Sequence, residues 1–432
     1  MLLYNYRQNL SNKYWEKYMK LAIIGFGSRG RFAYLPTAIK QDGVELVAVC
    51  DIKQVRLDEA REKYGLTDDQ LFLSDEEFFA KGKLADLLFV TTQDKDHYQH
   101  AMKALDVGYD LLLEKPIAQS YEQCKEISDK AEKLGRKICI CHVLRYAPFF
   151  TYIKDVIDSG KIGSVRTISQ TENVAYWHYA HSYARGNWKN TKESTPMLLA
   201  KCCHDLDIIY WLVGSPCKAV SSFGSLEYFT PENAPEGSSD RCIGCKYEDT
   251  CVYSAKKFYT GNVGWLANNF DEKFDSNNPD EVRKMLAKKE VPYGDCVYKC
   301  GNDTVDHQVV NMLFENNATA QLTMTAFSKD CYRELHVHGN KGEIIGNMET
   351  NLVTINVYGG ESETIDIGQF SDGLYGHGGG DARLTLDILN YMEFGDTNAK
   401  GLTTIQNSLM SHKMGYCAEE SRLAGGKLVE LK

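Results

Sequence analysis

The feature that most constrains the fold is a glycine-rich turn that joins an apolar run to a helical pattern. Residues Met19–Gly25 are mostly apolar and end in glycine, and apolar residues recur at helical spacing after the turn. The turn reads Gly-x-Gly-x-x-Gly over residues 25–30. In this pattern the first glycine permits a tight turn, the second lets the backbone approach a pyrophosphate, and the third lets strand and helix pack closely. The spacing therefore predicts a dinucleotide site at this turn.

The same alternation of strand and helix continues along the first third of the chain. Apolar runs next to helical patterns predict further strands at Val44–Cys50, Leu87–Val90, Asp110–Glu114 and Lys137–Cys141. Strands separated by single helices form parallel, doubly wound sheets. We therefore predict an α/β fold with a dinucleotide-binding domain at 19–144, preceded by an extension at 1–18.

The remainder of the chain has a different texture, because strand-like segments follow one another with few helices between them. These segments are Val165–Asn173, Ala219–Leu226, Val309–Phe314, Thr319–Thr325, Arg333–His338 and Leu352–Val357. Such a run predicts a C-terminal α+β domain at 145–432 with a large, mostly antiparallel open sheet. Residues 230–301 fit neither pattern and are interpreted as an insertion.

Composition excludes several classes of function. The chain has 432 residues and carries 49 Lys and Arg against 59 Asp and Glu, so its net charge of −10 argues against nucleic acid as the main partner. No stretch reaches the roughly 18–20 apolar residues that a membrane span requires. The first twenty residues lack the apolar core of a signal peptide, so we expect a cytoplasmic protein with mostly reduced thiols.

An acidic residue supports the dinucleotide prediction. Asp51 ends the second predicted strand, 26 residues after Gly25. A carboxylate at this place accepts hydrogen bonds from the adenosine ribose hydroxyls and repels a 2′-phosphate. We therefore predict NAD in preference to NADP, although Lys53 and Arg56 lie close enough to weaken that preference.

Three further motifs accompany the glycine turn. They are Thr91-Thr92-Gln93-Asp94-Lys95-Asp96-His97, Glu114-Lys115-Pro116 and Arg145-Tyr146-Ala147-Pro148. Together, in this order, they resemble the glucose-fructose oxidoreductase, inositol dehydrogenase and MocA (Gfo/Idh/MocA) family. The resemblance covers about Met19 to Gly339. It implies a Rossmann domain, a C-terminal α/β domain with a large open sheet, NAD(P) held between the two, and sugar-type substrates.

The resemblance and the glycine turn together define the predicted cofactor site. Its residues are Gly25, Gly27, Ser28, Arg29, Gly30, Asp51, Thr91, Thr92, His97, Glu114 and Lys115. Lys115 is also the first catalytic candidate, because an ammonium at the carboxyl end of a parallel strand can orient a hydroxyl and stabilise developing alkoxide charge. The family gives its Glu-Lys-Pro lysine that role. Without the motif, the default interpretation of Lys115 is a solvated lysine at a strand end, paired with Glu114.

His204 is the second catalytic candidate, as the base that takes the hydroxyl proton. The segment from Ala200 to Asp207 is predicted to be helical and resembles the family's acid/base helix, in which an aspartate precedes the histidine by four residues. Here that position is Ala200, so the aspartate is absent, and Lys201 stands beside it. One helical turn separates Lys201 from His204, and a cation there would favour the neutral base. A core or capping histidine is the alternative.

Two segments are predicted to shape a substrate pocket. The segment Tyr176–Trp188 is rich in rings with polar tips, which suit the apolar faces and hydroxyls of a carbohydrate, although a buried aromatic cluster explains it too. Gly376–Asp381 is a glycine-rich loop that predicts a pocket rim, or simply a loop with Asp381 capping the next helix. The substrate candidates are Arg145, Tyr176, His181, Trp188, Lys201 and His377.

The insertion concentrates cysteines. Cys242, Cys245 and Cys251 lie within ten residues, and Cys296 and Cys300 follow at its far end. Four thiolates, from Cys242, Cys245, Cys251 and Cys296, would complete a structural zinc site that pins an insertion without a core of its own. An iron–sulfur cluster is compatible with the same ligands. Free thiols or a disulfide are the alternative, and the spacing does not decide between them.

These observations predict an NAD-dependent oxidoreductase that moves hydride between nicotinamide and a secondary hydroxyl of a sugar, glycoside or cyclic polyol. Two alternatives stay open. One is an NAD-dependent glycosidase that oxidises its sugar transiently, and the other is a sensor that binds the dinucleotide without turnover. The expected partners are a small sugar-type molecule and further copies of the chain, because an open sheet favours a homodimer or homotetramer.

Overall fold

The computed structural model describes residues 18–262, 274–275, 277–370 and 376–431. Nearly all of the predicted extension at 1–18 and part of the predicted insertion lie outside the described residues. The chain packs into two compact units. One comprises residues 18–161 and 350–409, and the other comprises residues 162–349 and 410–431.

The first sheet has six strands, all parallel, in the order β3-β2-β1-β4-β5-β6. The strands are β1 (Met19–Ile24), β2 (Val44–Cys50), β3 (Leu71–Phe72), β4 (Leu87–Val90), β5 (Asp110–Leu113) and β6 (Ile138–Ile140). All four residues of β4 are buried, as both faces of a parallel sheet require. The doubly wound parallel sheet predicted from the sequence is confirmed.

Helices connect these strands. They are α1 (Leu35–Ala38), α2 (Gln54–Tyr64), α3 (Asp75–Ala80), α4 (His97–Val107), α5 (Tyr121–Leu134) and α6 (Pro148–Asp158). A π-helical segment, Arg29–Tyr34, precedes α1, so the helix after the glycine turn begins wider and underwound rather than as a regular α-helix. Ser74 caps the start of α3, because its hydroxyl accepts a hydrogen bond from the backbone N–H of Glu77 at 3.2 Å.

The second sheet has nine strands in the order β14-β13-β12-β11-β7-β10-β9-β8-β15. The strands are β7 (Val165–Asn173), β8 (Cys217–Ser225), β9 (His307–Phe314), β10 (Thr319–Thr325), β11 (Tyr332–Gly339), β12 (Gly342–Asn347), β13 (Leu352–Val357), β14 (Ser362–Asp366) and β15 (Val429–Glu430). β7 and β10 run parallel, whereas the other described pairs are antiparallel. The predicted mostly antiparallel sheet is thereby confirmed.

The other helices of the described residues follow β7 along the sequence. They are α7 (Tyr176–Tyr179), α8 (Met197–Ala200), α9 (Cys203–Val213), α10 (Ala255–Gly261), α11 (Pro279–Ala287), α12 (Gly380–Phe394) and α13 (Ile405–Leu423). α12 contributes Leu384, Ile388 and Leu389 to the hydrophobic core of the first unit. A late segment of the sequence therefore completes the core around the first sheet.

The insertion at 230–301 differs from its prediction in one respect. We expected it to lack a core, but its described residues form a small one around Ala255, Tyr259, Val282, Leu286 and Tyr293. α10 and α11 supply four of these side chains. Apolar residues at helical spacing on two short helices are thus enough to bury a common face.

Candidate active site

The glycine turn has no room for a side chain at its first and last positions, Gly25 and Gly30. Gly25 has a φ of +85°, and a Cβ on it would lie 2.6 Å from the backbone nitrogen of Thr92. A Cβ on Gly30 would lie 2.8 Å from Oγ1 of Thr91, the hydroxyl that donates to the carbonyl of Gly25 at 2.6 Å. The end of β4 therefore packs directly on the turn. The Thr91 side chain holds the turn against the end of β4, whereas the Ser28 side chain is exposed to solvent.

Asp51 lies beside this turn. The backbone N–H of Gly25 donates to the carbonyl of Cys50 at 2.8 Å, which places the end of β2 next to the end of β1. The buried Asp51 carboxylate accepts the N–H of Lys53 at 2.9 Å, and a guanidinium nitrogen of Arg56 lies 3.5 Å from its other oxygen. A bare backbone cradle with a carboxylate at the neighbouring strand end fits a dinucleotide, with the pyrophosphate at the turn and the ribose at Asp51.

Arg29 and Glu114, predicted to bind the cofactor, bind each other. The Arg29 guanidinium lies 2.8 Å from Glu114 and 2.8 Å from Asp381, and it also donates to the Tyr34 hydroxyl, which in turn donates to Glu114. Burial alone would raise the pKa of Glu114, but Arg29 and Lys115 outweigh it and hold that pKa below its usual value. Burial would also raise the pKa of Asp381, but His377 and Arg29 outweigh it and hold that pKa well below its usual value. This cluster stays charged at neutral pH.

Sequence reasoning missed Tyr34 and the ion pair to Asp381, since 352 residues separate Arg29 from its partner. Asp381 does not cap α12, which was one of the two interpretations of its loop in the sequence. Gly379 takes the N-cap position of α12, and Asp381 lies in the first turn, where its carboxylate contacts Arg29 and His377. His377 is half-exposed, with its Nδ1 at 3.1 Å from Asp381.

His97 joins two strand ends. Its Nδ1 lies 2.7 Å from the carbonyl of Pro116 and its Nε2 lies 3.1 Å from the carbonyl of Thr92. The imidazole is buried, so it holds the loop after β5 in position against the loop after β4. Lys115 stands at the start of the loop after β5 and is partly exposed.

A buried histidine near Lys115 escaped the sequence analysis. Burial holds the pKa of His142 well below its usual value, and the positive charges of Arg145 and Lys115 lower it further. The imidazole is therefore neutral at physiological pH. Arg145, a predicted substrate residue, is itself buried. The first unit thus gathers Lys115, Arg145 and a neutral imidazole near the carboxyl end of β5.

His204 lies in the first turn of α9 and is buried. The continuous helix predicted through this segment is wrong, because Lys201 and Cys202 interrupt it between α8 and α9. The interruption turns Lys201 toward the sheet, where its ammonium lies 3.2 Å from Glu172 on β7. The positive charge of Lys201 is therefore offset by a carboxylate, whereas the sequence analysis considered only its effect on His204.

Glu172 belongs to a buried ionic network that the sequence did not reveal. Arg333 on β11 lies 2.8 Å from Glu172 and 2.8 Å from Asp205 on α9. Burial raises the pKa of Glu172, whereas Arg333 and Lys201 oppose that shift. Asp205 also accepts a hydrogen bond from Gln170 at 2.5 Å. The network attaches the first turn of α9, and with it His204, to the face of the sheet.

The aromatic segment packs largely against the insertion. His181 is buried, with its Nδ1 at 2.6 Å from the Tyr259 hydroxyl and its ring stacked on Tyr293 at 4.8 Å between centroids. Burial, with Arg185 adding to it, lowers the pKa of His181 to about 3, so the ring is neutral. Tyr176 packs edge-on against Tyr253 at 5.8 Å, and Trp188 lies 6.3 Å from Tyr183. These contacts match the aromatic cluster that the sequence analysis kept as its alternative.

The predicted zinc ligands line one cavity, but they are not at zinc spacing. Cys242, Cys245, Cys251 and Cys296 all contribute to its wall. Among the described residues, two groups of three metal-ligating atoms lie within 4.8 Å of one another, and neither contains any of these sulfurs. The structure therefore does not support the single zinc ion proposed from the sequence.

A parallel sheet with a bare glycine cradle and a carboxylate at the adjacent strand end defines a dinucleotide-binding protein of the Rossmann class. Residues 19–142 match the oxidoreductase family with an NAD-binding Rossmann fold, and residues 154–423 match the C-terminal α/β domain of the same family. The chain therefore belongs to the Gfo/Idh/MocA oxidoreductase family. It is a dehydrogenase of the class that acts on CH–OH groups with a nicotinamide cofactor.

Curated relatives are distant. The chain is 23% identical over 318 residues to the putative oxidoreductase YteT of Bacillus subtilis. The aligned region covers 70% of this chain and 72% of YteT. It is 27% identical over 214 residues to an inositol 2-dehydrogenase/D-chiro-inositol 3-dehydrogenase of Lactiplantibacillus plantarum, over 49% of this chain and 56% of that protein. The D-glucoside 3-dehydrogenase of Escherichia coli is 23% identical over 258 residues, 58% of this chain and 70% of that protein.

Solved structures agree on the fold. An inositol dehydrogenase homologue of Azotobacter vinelandii in complex with NAD+ superposes with a TM-score of 0.69 at 14% identity, covering 96% of this chain and 98% of that one. The WlbA dehydrogenase of Bordetella pertussis, in complex with NADH and UDP-GlcNAcA, gives a TM-score of 0.67 at 16% identity, over 96% and 99% of the chains. Within the described residues, none of the helices has the length and apolarity that crossing a membrane would take.

Proposed function

We propose that this chain transfers hydride between NAD and a secondary hydroxyl of a sugar, glycoside or cyclic polyol. The observation that carries the proposal is the position of Lys115. This residue follows the carboxyl end of β5, and β5 lies two strands away from β1, the strand that leads into the glycine turn. Ligands of doubly wound sheets bind at these strand ends. The relatives named above as inositol and glucoside dehydrogenases support the choice of a polyhydroxylated substrate.

Each side chain has one role in this proposal. The nicotinamide supplies the hydride acceptor or donor when the cofactor is bound. Lys115 orients the reacting hydroxyl and stabilises negative charge that develops on its oxygen. His204 takes the hydroxyl proton during oxidation and returns it during reduction. Arg145, Tyr176, Trp188, Lys201 and His377 are proposed to contact the substrate, and His181 is proposed to support the same region through its contact with Tyr259.

The catalytic roles are tested by Lys115→Ala and His204→Gln. Loss of a positioned proton-transfer group costs about 10²–10⁴ in rate, so each variant should lose at least about a hundredfold in kcat while still binding NAD, as measured by titration calorimetry. Lys125→Ala is the matched control, because Lys125 is an exposed lysine on α5 that pairs with Asp129. Near-normal turnover by either catalytic variant would contradict its assigned role.

The substrate and cofactor are tested on the wild-type chain. A panel of sugars, glycosides and cyclic polyols is assayed for NADH formation with NAD and for the same reaction with NADP. We expect turnover with NAD to dominate, and a clear preference for NADP would refute the role of Asp51. Free sugar released from a glycoside without net NADH would identify the glycosidase alternative. Tight NAD binding with no turnover on the panel would identify the sensor alternative.

A further inference from the structure

Two histidines project from one face of β11, in the second unit. The strand contains the sequence His336-Val337-His338. Because side chains alternate along a strand, the two imidazoles share a face, while Val337 between them is fully buried on the other face. The two rings lie 3.7 Å apart between centroids, with 33° between their planes. The strand therefore presents two imidazoles side by side on one surface of the nine-stranded sheet.

A carboxylate on the neighbouring strand completes the group. Glu343 on β12 is the direct antiparallel partner of His338 in the register of the sheet. Side chains opposite each other in this way have Cβ atoms about 4.5–5.5 Å apart and project from the same face. Glu343 therefore lies beside both histidines. The pairing of β11 with β12 brings the three side chains together.

The donor atoms of these three residues converge. Oε2 of Glu343 lies 2.9 Å from Nε2 of His336 and 3.4 Å from Nδ1 of His338. One ring nitrogen from each histidine and one carboxylate oxygen all lie within 4.8 Å of one another. A metal with bonds of about 2.1 Å to nitrogen and oxygen holds neighbouring ligand atoms roughly 3.0–3.4 Å apart, depending on its geometry. The three donors are thus already close to the spacing that one ion requires.

The group can be reached from solvent. The side chains of His336 and His338 are each 35% exposed, and that of Glu343 is 26% exposed. Burial, with His336 adding to it, lowers the pKa of His338 against the opposing effect of Glu343. That imidazole is therefore neutral at physiological pH, which is the form that binds metals. An ion can enter without any opening of the fold.

A histidine–carboxylate pair on the same sheet provides a comparison. Nδ1 of His307 on β9 lies 2.7 Å from Oδ1 of Asp306. Neither residue belongs to the groups of three metal-ligating atoms found among the described residues. A contact between a histidine and a carboxylate is therefore satisfied in this sheet by two residues. At β11 a second imidazole approaches the same carboxylate oxygen.

We propose that His336, His338 and Glu343 bind one divalent transition-metal ion. Two imidazoles and one carboxylate are a ligand set that zinc and ferrous iron accept in proteins. Each imidazole binds through the nitrogen that carries no proton, and the ring proton stays on its other nitrogen. The three protein ligands leave at least one coordination position for water, and the ion cross-links β11 to β12. This site is independent of hydride transfer at Lys115 and His204.

The test is a titration of the full chain with Co²⁺, after removal of any histidine tag and of bound metal. We expect one Co²⁺ per chain, with visible absorbance from the coordinated ion. The 14 cysteines also offer ligands for cobalt, but thiolates add intense charge-transfer absorbance in the near ultraviolet, which imidazole and carboxylate do not. A wild-type chain that binds no cobalt, or binds it only with that thiolate absorbance, would overturn the site.

Variants assign the ligands. His336→Ala, His338→Ala and Glu343→Gln should each weaken cobalt binding at least about tenfold, because each removes or neutralises one ligand. His307→Ala is the matched control and should keep the wild-type affinity, since His307 is an exposed histidine of the same sheet that pairs with Asp306.

Thermal unfolding without metal reports whether each variant has folded. Glu343→Gln keeps the size of its side chain, so it remains a test if a histidine variant fails to fold. Wild-type affinity in any folded variant of the three proposed ligands would overturn the assignment. An equal loss of affinity in His307→Ala would overturn it as well.

Discussion

At the scale of single residues, two glycines that both have a positive φ carry very different constraints. Gly25 and Gly65 have φ values of +85° and +69°, and both are strained for any other residue. A Cβ on Gly65 would meet nothing within 4 Å, whereas a Cβ on Gly25 would overlap the backbone of Thr91 and Thr92. The glycine at the turn is thus required by packing as well as by φ.

This contrast gives a paired prediction. Gly65→Ala should lower the free energy of unfolding by about 1 kcal/mol, the usual cost of a left-handed alanine, and leave the affinity for NAD unchanged. Gly25→Ala should destabilise further, because it pushes β4 away from the turn, and should weaken NAD binding at least tenfold. Thermal unfolding and calorimetric titration measure both effects. If both variants lost the same stability and the same affinity for NAD, the close approach of β4 would not be what constrains Gly25.

At the scale of elements, the ionic cluster of Arg29, Glu114 and Asp381 attaches the π-helical segment, the end of β5 and the first turn of α12 to one another. Such a connection explains why α12, late in the sequence, is part of the core around the first sheet. Local sequence pattern indicates each element but carries no information about which of them are joined.

The cluster predicts acid sensitivity. Asp381→Asn should lower the free energy of unfolding by about 1–3 kcal/mol, since it leaves a partly buried guanidinium with one carboxylate fewer. The pKa of Asp381 is lowered in the folded chain, so its contribution is full above the unfolded pKa near ~4 and is lost as pH falls toward the folded value. The difference between wild type and variant, followed by urea unfolding, should therefore shrink below about pH 4.

An exposed ion pair provides the control for that experiment. Glu363 on β14 pairs with Lys161, and both side chains are about half exposed. Glu363→Gln should change stability by less than about 1 kcal/mol at any pH. A constant difference between wild type and Asp381→Asn from pH 7 to 3 would contradict the role assigned to the buried carboxylate.

Elements with clear periodicity were predicted well, and those without it were missed. β7, β10 and β13 have the bounds expected from their sequences. In β10 and β13, apolar and polar residues alternate so that the apolar ones face one covered side. β14, whose sequence is Ser-Glu-Thr-Ile-Asp, has too few apolar residues to show a period. It forms because hydrogen bonding to β13 satisfies its backbone.

At the scale of the whole molecule, the nine-stranded sheet leaves apolar side chains in solvent. On β9 the residues alternate between buried and exposed, and Leu313 stands 36% exposed. Phe223 on β8 and Ile345 on β12 are also exposed. An open sheet face with several large apolar side chains is typical of a surface that a second copy of the chain covers.

We therefore expect a homodimer or homotetramer formed through this face. Light scattering should give a mass of at least two chains, and Leu313→Lys should shift the mass toward the monomer, because a charge at a dry interface is costly. Leu134→Lys is the matched control, since Leu134 is 43% exposed on α5 and belongs to the six-stranded domain rather than to this sheet. A monomeric wild-type chain, or an equal effect of the two variants, would contradict the prediction.

The amino-acid sequence by itself determined the two kinds of sheet, the glycine turn, the position of Asp51 and the family, because each depends on residues close together along the chain. Tertiary structure alone decided the partners of Arg29 and Lys201, the buried network of Glu172, Asp205 and Arg333, and the convergence of the cysteines on one cavity. The physical reason is that buried charges and thiols take whatever partner the packing of distant segments brings within a few ångströms, and no local pattern encodes that choice.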